Sequence, residues 1–247
     1  MCLLIVMRGL HASHPVVVGA NRDERTDRAF SPPGLFVGRH RRILSPRDRQ
    51  AGGTWIGVND LGAFAAVTNL KGHLPPAGAP SRGHLVHLAL DASSLSEAVD
   101  LVGEAVRSAP HGGFQLALCD RDRIVVLVHR GGVLDVVAWR EPVLVVTNEH
   151  APGVLHLPLL AHAMDPMLGL HERLDRLAPV LRDRGDSSGH AVLKKGAGYG
   201  TVSSSLLAVP ASDPTALVWR FAAGAPDEAV HRNYGNLGRR LLPEAED

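Results

Sequence analysis

Cys2 is the residue of this sequence best placed to act as a nucleophile. If Met1 is removed, Cys2 carries both a thiol and a free α-amino group. The amine, with a pKa of about 7.7 to 8.0, can accept the proton of a thiol whose pKa is about 8.5, so one residue supplies nucleophile and base. The alternative is that Cys2 is a buried and inert strand residue, as free cysteines commonly are. Position alone leaves both interpretations open.

Polar residues follow three separate apolar runs that we predict to be strands. They are Asn21, Arg22, Asp23 and Glu24 after the first run, and the pairs Thr68-Asn69 and Thr147-Asn148 after two others. Where such strand ends converge, two carboxamides can donate hydrogen bonds to a developing oxyanion. Arg22 can lower the pKa of a nearby thiol, and Asp23 can orient an ammonium group. Turn formation is the alternative for the Thr-Asn pairs, because asparagine closes strands readily.

The elements that must position these residues are short β-branched runs separated by turn residues. We predict hairpins from 2–7 with 15–19 and around the turn at 59–62, a four-strand antiparallel meander over 114–147, and a strand pair at 202–209 and 216–221. Helices are predicted at 81–90, from a capping box at Ser94 to about 108, and at 168–181, where Pro179 should end or kink the helix. The charged, proline-containing range 21–53 is predicted to be a long irregular loop. This order predicts one α+β domain over residues 1–247, with helices on the faces of mostly antiparallel sheets.

Charge and composition exclude several classes of protein. The 247 residues include 26 basic and 25 acidic side chains, a formal net charge of +1, which gives no electrostatic footprint for nucleic acid. Two cysteines cannot form a disulfide framework. The apolar run 2–7 is shorter than the roughly 7 to 15 residues of a signal-peptide core, and no other run approaches the roughly 18 residues that cross a bilayer. We therefore expect a cytoplasmic protein with no nucleic-acid partner and no membrane span.

The 14 histidines raise the question of a metal or haem site. His84 and His87 would be neighbours on one face of the predicted helix. No H-E-x-x-H string accompanies them and cysteine is too scarce for a zinc cluster, so we predict no metal site. Haem needs only one axial His or Cys, which leaves Cys2, His84 and His87 as candidate haem ligands.

Seven short motifs follow one another along nearly the whole chain. They are Met1-Cys2, Asn21-Arg22-Asp23-Glu24, Ala51-Gly52-Gly53-Thr54-Trp55-Ile56-Gly57-Val58-Asn59, Phe64-Ala65-Ala66-Val67-Thr68-Asn69, Ser81-Arg82-Gly83, Thr147-Asn148 and Tyr199-Gly200-Thr201-Val202-Ser203-Ser204. This ordered set resembles the NRDE family, also called the transport and Golgi organisation family. That family is similar to the N-terminal-nucleophile hydrolases, including the penicillin V acylase and bile salt hydrolase group.

The resemblance implies a four-layer αββα sandwich of mostly antiparallel sheets. It assigns the catalytic positions to Cys2, Arg22, Asp23, Asn69 and Asn148. We add a set of substrate-binding residues from the same motifs: Asn21, Glu24, Trp55, Thr68 and Thr147. The expected reaction is cleavage of an amide or related acyl bond of a small molecule, without a cofactor.

One position departs from the family pattern, which usually reads G-T-R-S-S where this chain has Gly200-Thr201-Val202-Ser203-Ser204. Val202 therefore stands in place of an arginine. Several members of the family are linked to haem handling. The alternative is accordingly a non-catalytic protein that binds or transfers haem in the same pocket.

Overall fold

Two antiparallel sheets of seven strands each make up the centre of the structure, a computed structural model that describes residues 2–153, 157–185 and 190–243. The strands are β1 (Leu3–Arg8), β2 (Val16–Arg25), β3 (Phe30–Val37), β4 (Arg42–Asp48), β5 (Ile56–Asn59), β6 (Phe64–Asn69), β7 (Phe114–Cys119), β8 (Ile124–Arg130), β9 (Val133–Trp139), β10 (Val143–Thr147), β11 (Lys195–Gly196), β12 (Tyr199–Val209), β13 (Val218–Ala222) and β14 (Arg232–Asn233). The helices are α1 (Arg82–Leu90), α2 (Leu95–Ser108) and α3 (Leu170–Leu181).

The first sheet has the strand order β10-β1-β2-β12-β13-β14, with β11 paired to β12. The second sheet runs from β3 to β9 in sequence order. Strand β1 therefore lies inside the first sheet, hydrogen-bonded to β10 on one side and to β2 on the other.

Strand β1 shows why the apolar runs are continuous. Its residues Leu4 and Val6 belong to the core between the two sheets, whereas Leu3, Ile5 and Met7 pack against α3 on the outer face. Successive side chains of a strand point to opposite faces, so a strand covered on both faces is apolar at every position.

Helices cover both outer faces of the sandwich. Helix α3 packs on the first sheet, and α1 and α2 pack on the second. The α2 helix begins at the predicted cap, where the Ser94 hydroxyl accepts a hydrogen bond from the Glu97 N–H at 3.2 Å. The order helix, sheet, sheet, helix confirms the predicted αββα sandwich. Across the described ranges, no helix combines the length and apolarity needed to span a bilayer.

The prediction of an irregular loop over 21–53 is wrong. The end of β2, all of β3 and all of β4 occupy this range. Pro32 and Pro33 are accommodated because β3 is the edge strand of the second sheet and its register with β4 shifts between Ser31 and Gly34. The edge position of β3 follows from the tertiary structure and not from its local sequence. For this reason the prolines and charged residues of the range predict a loop.

The predicted four-strand meander is also wrong in its last member. Strands β7, β8 and β9 form the meander, but β10 crosses to the first sheet and pairs with β1. All five residues of β10 are buried, whereas β9 is mostly exposed at the edge of its sheet. A fully apolar strand needs cover on both faces, which a place beside β1 provides.

A close contact between two glycines holds the start of α1 against the chain before β5. A Cβ atom on Gly53 would lie 2.5 Å from the carbonyl carbon of Gly83, and one on Gly83 would lie 2.8 Å from the carbonyl oxygen of Thr54. The Thr54 N–H donates to the Gly83 carbonyl at 3.2 Å. Only glycine fits at this contact, because a side chain on either residue would overlap backbone atoms.

Candidate active site

A cavity of about 460 Å³ opens where β1 begins and where β2 and β6 end. Eight of the ten predicted site residues line it: Cys2, Asn21, Arg22, Asp23, Glu24, Trp55, Thr68 and Asn69. The first turn of α1 closes another side of the cavity. The two remaining predicted residues, Thr147 and Asn148, are not part of this lining.

Cys2 lies half-buried just before β1. Its Sγ accepts a hydrogen bond from the backbone N–H of Asp23 at 3.4 Å, and its S–H is directed at the Asp23 carbonyl oxygen at 3.6 Å. Burial, followed by the Asp23 carboxylate, raises the pKa of the Cys2 thiol to about 11, and Arg22 only partly opposes this shift. The thiol is therefore protonated at neutral pH and needs a base before it can act as a nucleophile.

Asp23 is held beside this sulfur by strand β12. Thr201 lies directly opposite Asp23 in the ladder, and its hydroxyl donates to Asp23 Oδ1 at 2.7 Å. The Tyr199 hydroxyl donates to the Asp23 carbonyl oxygen at 3.2 Å. Burial raises the pKa of the Asp23 carboxyl, and the Thr201 hydrogen bond opposes that rise. Neither Thr201 nor Tyr199 was predicted to be a site residue, although both belong to a motif of the sequence.

Arg22 lies between the sheets with only 7% of its surface exposed. Its guanidinium stands 4.3 Å from the ring centroid of Trp55, within the range of a cation–π contact. Its Nη2 lies 3.5 Å from a Glu24 carboxylate oxygen and 3.7 Å from one of Asp48. Its Nη1 is buried without a hydrogen-bond partner among the described atoms, so one donor is available to a ligand.

Asn21 lines the cavity, but its carboxamide nitrogen has a structural partner. The Nδ2 group donates to the Leu181 carbonyl oxygen at 2.8 Å. This bond satisfies one of the carbonyl groups that the end of α3 leaves open. Asn21 therefore links the first sheet to α3.

Strand β6 contributes two of the predicted residues at its carboxyl end. Thr68 is 4% exposed, and its hydroxyl has no partner within the described part of the chain. Asn69, the next residue, is exposed. Asn69 therefore offers a carboxamide at the rim of the cavity.

The pair Thr147-Asn148 ends β10, on the opposite side of β1 from β2. The Thr147 hydroxyl accepts hydrogen bonds from the N–H groups of Glu149 and His150 at 3.4 and 3.2 Å, so it closes a turn. Leu3 pairs with Thr147, and the same register continued by one residue sets Cys2 opposite Asn148. The Asn148 Oδ1 is buried and has no partner among the described residues.

Gln115, in β7 of the second sheet, holds this turn in place. It is fully buried, and its Nε2 donates to the carbonyl oxygens of Thr147 at 2.5 Å and His150 at 2.9 Å. Sequence reasoning missed Gln115, since a single glutamine in an apolar strand was its only signal.

Two further motif positions differ in their relation to the cavity. Val202, which replaces the family arginine, is the extra residue where the register of β12 with β2 shifts between Thr201 and Ser203, and it does not line the cavity. Arg82 does line it, although no role was predicted for Arg82 from the sequence.

The three candidate haem ligands have different surroundings: Cys2 lines the cavity, and each of the two histidines has a polar neighbour at Nε2. His84 lines the cavity, but its Nε2 is hydrogen-bonded to the Ala51 carbonyl oxygen at 2.9 Å. His87 stacks on Phe36 and its Nε2 lies 3.3 Å from the Ser45 hydroxyl. The described residues also contain no group of three or more metal-ligating side chains.

Two stacked antiparallel sheets between layers of helices are the architecture of the N-terminal-nucleophile hydrolase fold. A solved structure with this architecture supports that assignment: a variant of conjugated bile acid hydrolase from Clostridium perfringens has a TM-score of 0.54, at 12% sequence identity over 90% of this chain and 89% of that chain. Identity this low shows a common fold and nothing finer.

The chain belongs to the Transport and Golgi organisation 2 family, whose model matches residues 1–156. The mouse Transport and Golgi organization 2 homolog is 37% identical over 89 residues, which are 34% of this chain and 32% of the mouse protein. The match thus spans about a third of the length of that curated relative. The matched family segment includes Cys2, the motif at 21–24 and both Thr-Asn pairs.

Proposed function

We propose that this protein is an N-terminal cysteine hydrolase that cleaves an amide or related acyl bond of a small molecule. The observation that supports this function is the position of Cys2, at a cavity of about 460 Å³ that also contains Asp23, Arg22 and Asn69. Cavities of this size are typical of small-molecule sites.

The reaction begins when the Cys2 thiol gives its proton to the α-amino group that loss of Met1 exposes. The sulfur attacks the acyl carbonyl carbon, and the C–N bond breaks as the protonated α-amine returns the proton to the leaving nitrogen. Water then attacks the thioester carbonyl, the C–S bond breaks, and the acid and the free thiol are released. Each proton taken up by the amine is returned, so the enzyme is regenerated.

The α-amine is needed because the Cys2 thiol is a weak acid in this environment. With a pKa of about 11, only a minute fraction is thiolate at pH 7. A free ammonium group on the same residue favours the thiolate by charge, and Asp23, whose carboxylate accepts a hydrogen bond from Thr201, is the proposed partner of that ammonium. The proposed mechanism therefore requires the mature N-terminus.

Two carboxamides are the proposed donors to the oxyanion. Asn69 offers its side chain at the rim of the cavity, and Asn148 follows Thr147 on the strand beside Cys2. Removal of one such donor in other enzymes costs about 10²- to 10³-fold in kcat. Gln115 would act on Asn148 through the turn that it holds.

The experiment that tests this function is acylation by a reactive ester such as p-nitrophenyl butyrate, followed by intact mass spectrometry. We expect one added acyl group on the protein that lacks Met1, and none on the Cys2→Ala variant. Cys119→Ala is the matched control, because Cys119 is the other cysteine and is buried in the core. An acyl group that persists in Cys2→Ala would refute the proposed role of Cys2.

Haem binding stays a prediction, and one measurement separates it from hydrolysis. A titration with haem followed by visible absorption would detect saturable binding. Saturable binding together with no acylation of Cys2 would favour the non-catalytic alternative.

A further inference from the structure

Arg82 is a cation of the cavity without a carboxylate partner in the ranges that the structure describes. Its Nη1 donates to the Gly113 carbonyl oxygen at 3.0 Å, and among the described residues no carboxylate oxygen lies within 4 Å of its guanidinium. Burial lowers the pKa of Arg82, an effect that the more distant Glu24 opposes. The Gly113 carbonyl oxygen accepts a hydrogen bond from this guanidinium but does not balance its charge. A partly buried guanidinium with an unbalanced charge favours the binding of an anion.

The other arginines of the cavity are neutralised. Arg28 lies 2.7 Å from an Asp48 oxygen and 3.6 Å from a Glu24 oxygen, and Arg22 contacts the same two carboxylates at 3.7 and 3.5 Å. The two positive and two negative charges of this network cancel. Of the three arginines that line the cavity, Arg82 is therefore the one without a carboxylate partner in the described part of the chain, and Arg22 Nη1, which has no partner there either, is a second buried donor.

Apolar residues form part of the cavity that Arg82 lines. They are Pro75, Ala79, Pro80, Trp55 and Ile56. Such residues favour a hydrocarbon body, while the charged end of a ligand needs a specific partner. The cavity thus has room for one apolar portion and one anionic group.

We infer that Arg82 binds an anionic group of the substrate, so that the substrate class is an acyl amide with an apolar chain and a carboxylate. The amide part of this inference rests on the proposed function. The anion site does not, because binding can be measured without turnover. Arg82 would then determine specificity without taking part in bond cleavage.

The test compares two ligands that differ only in charge, N-octanoylglycine and its neutral analogue N-octanoylglycinamide. Isothermal titration on the full chain carrying Cys2→Ala measures binding without cleavage. We expect the carboxylate to bind about tenfold more tightly than the amide, the difference expected for one charge-assisted hydrogen bond. In Arg82→Gln this preference should disappear, and in Arg82→Lys much of it should return.

Arg121→Gln is the matched control, because Arg121 is exposed, lies outside this cavity and pairs with Asp122. It should keep the full preference for the carboxylate. Equal affinity for the two ligands in the parent, no binding of either ligand, or a preference that survives Arg82→Gln would overturn the inference. Failure of the acylation experiment with a retained carboxylate preference would overturn the hydrolase function and leave the anion site standing.

Discussion

Cys2 occupies a position that suppresses the ionisation of its thiol. The N–H of Asp23 stabilises the sulfur, but burial and the Asp23 carboxylate outweigh that hydrogen bond. A nucleophilic cysteine that relied on its surroundings alone would need a cation close by, and Arg22 is engaged with Trp55, Glu24 and Asp48. At the scale of one residue, the proposed hydrolase function therefore depends on the N-terminal amine as the base for Cys2.

This environment predicts the pH dependence of alkylation of Cys2 by iodoacetamide. In protein that keeps Met1, the rate should rise about tenfold for each pH unit between 7 and 9.5, because the thiolate fraction grows without saturating below a pKa of about 11. Protein that has lost Met1 should react at pH 7. The rates can be followed by intact mass in a Cys119→Ala background, where Cys2 is the only thiol. A rate that levels off below pH 9 in the Met1-containing form would contradict this prediction.

At the scale of elements, the site depends on contacts between segments that are far apart in the chain. Strand β12 supplies the hydroxyl of Thr201 to Asp23, and β7 supplies Gln115 to the turn after β10. The contact between Gly53 and Gly83 holds the first turn of α1, which carries Arg82, beside the chain that leads into β5. The first and third contacts each join a cavity residue to an element outside its own hairpin, and the second holds the turn that contains Asn148.

Replacement of Gly83 by alanine should destabilise the fold by about 1 to 3 kcal/mol, the usual cost of overpacking. The new Cβ would lie 2.8 Å from the carbonyl oxygen and 3.0 Å from the nitrogen of Thr54, and backbone atoms cannot move aside as a flexible side chain can. This cost should exceed the gain in helix propensity from glycine to alanine. Urea unfolding measures the difference in the free energy of unfolding.

The matched control is Gly34→Ala in strand β3, where an added Cβ has no neighbour within 4 Å. We expect Gly34→Ala to change the free energy of unfolding by much less than Gly83→Ala. Equal effects of the two substitutions would show that the contact between the glycines does not limit packing.

At the scale of the whole molecule, the layered packing half-buries two histidines, His87 and His231, and so favours their neutral form. His87 stacks on Phe36 with ring centroids 4.2 Å apart, and His231 hydrogen-bonds to the Ser204 hydroxyl at 3.2 Å. Burial lowers the pKa of each to about 4, from an ordinary value of 6.5. The unfolded chain therefore binds protons at these sites more readily than the folded chain does.

Stability should accordingly fall as the pH drops from about 6.5 towards 4. Each histidine changes the free energy of unfolding by at most about 1.4 kcal/mol per pH unit. Partial exposure to solvent makes the change smaller. The double variant His87→Gln, His231→Gln should lose less stability than the parent between pH 6.5 and 5 in urea unfolding experiments. His162→Gln, at an exposed position, should follow the parent. Identical slopes for the double variant and the parent would exclude these two histidines as the cause.

Local patterns were enough to predict much of the fold. The Ser94 cap of α2, the hairpin of β5 and β6, and the pair of β12 and β13 follow from turn residues, capping residues and apolar runs. Strands β3 and β4 could not be predicted in this way, because prolines are tolerated there only through the edge position of β3. The pairing of β10 with β1 could not be predicted either. A buried strand needs an apolar sequence in both sheets, so its sequence does not show which sheet it joins.

By itself, the sequence determined which residue types are available for chemistry: a cysteine at position 2, the motif at 21–24, and asparagines after two strands. Only the tertiary structure decided which of them meet, by placing Asn69 at the cavity, Asn148 across the ladder from Cys2, and Asn21 in a bond to α3. It also brought in Arg82, Thr201 and Gln115, which no spacing relates to Cys2. The physical reason is that capping and periodicity act between neighbours in the chain, whereas strand pairing and burial act between neighbours in space.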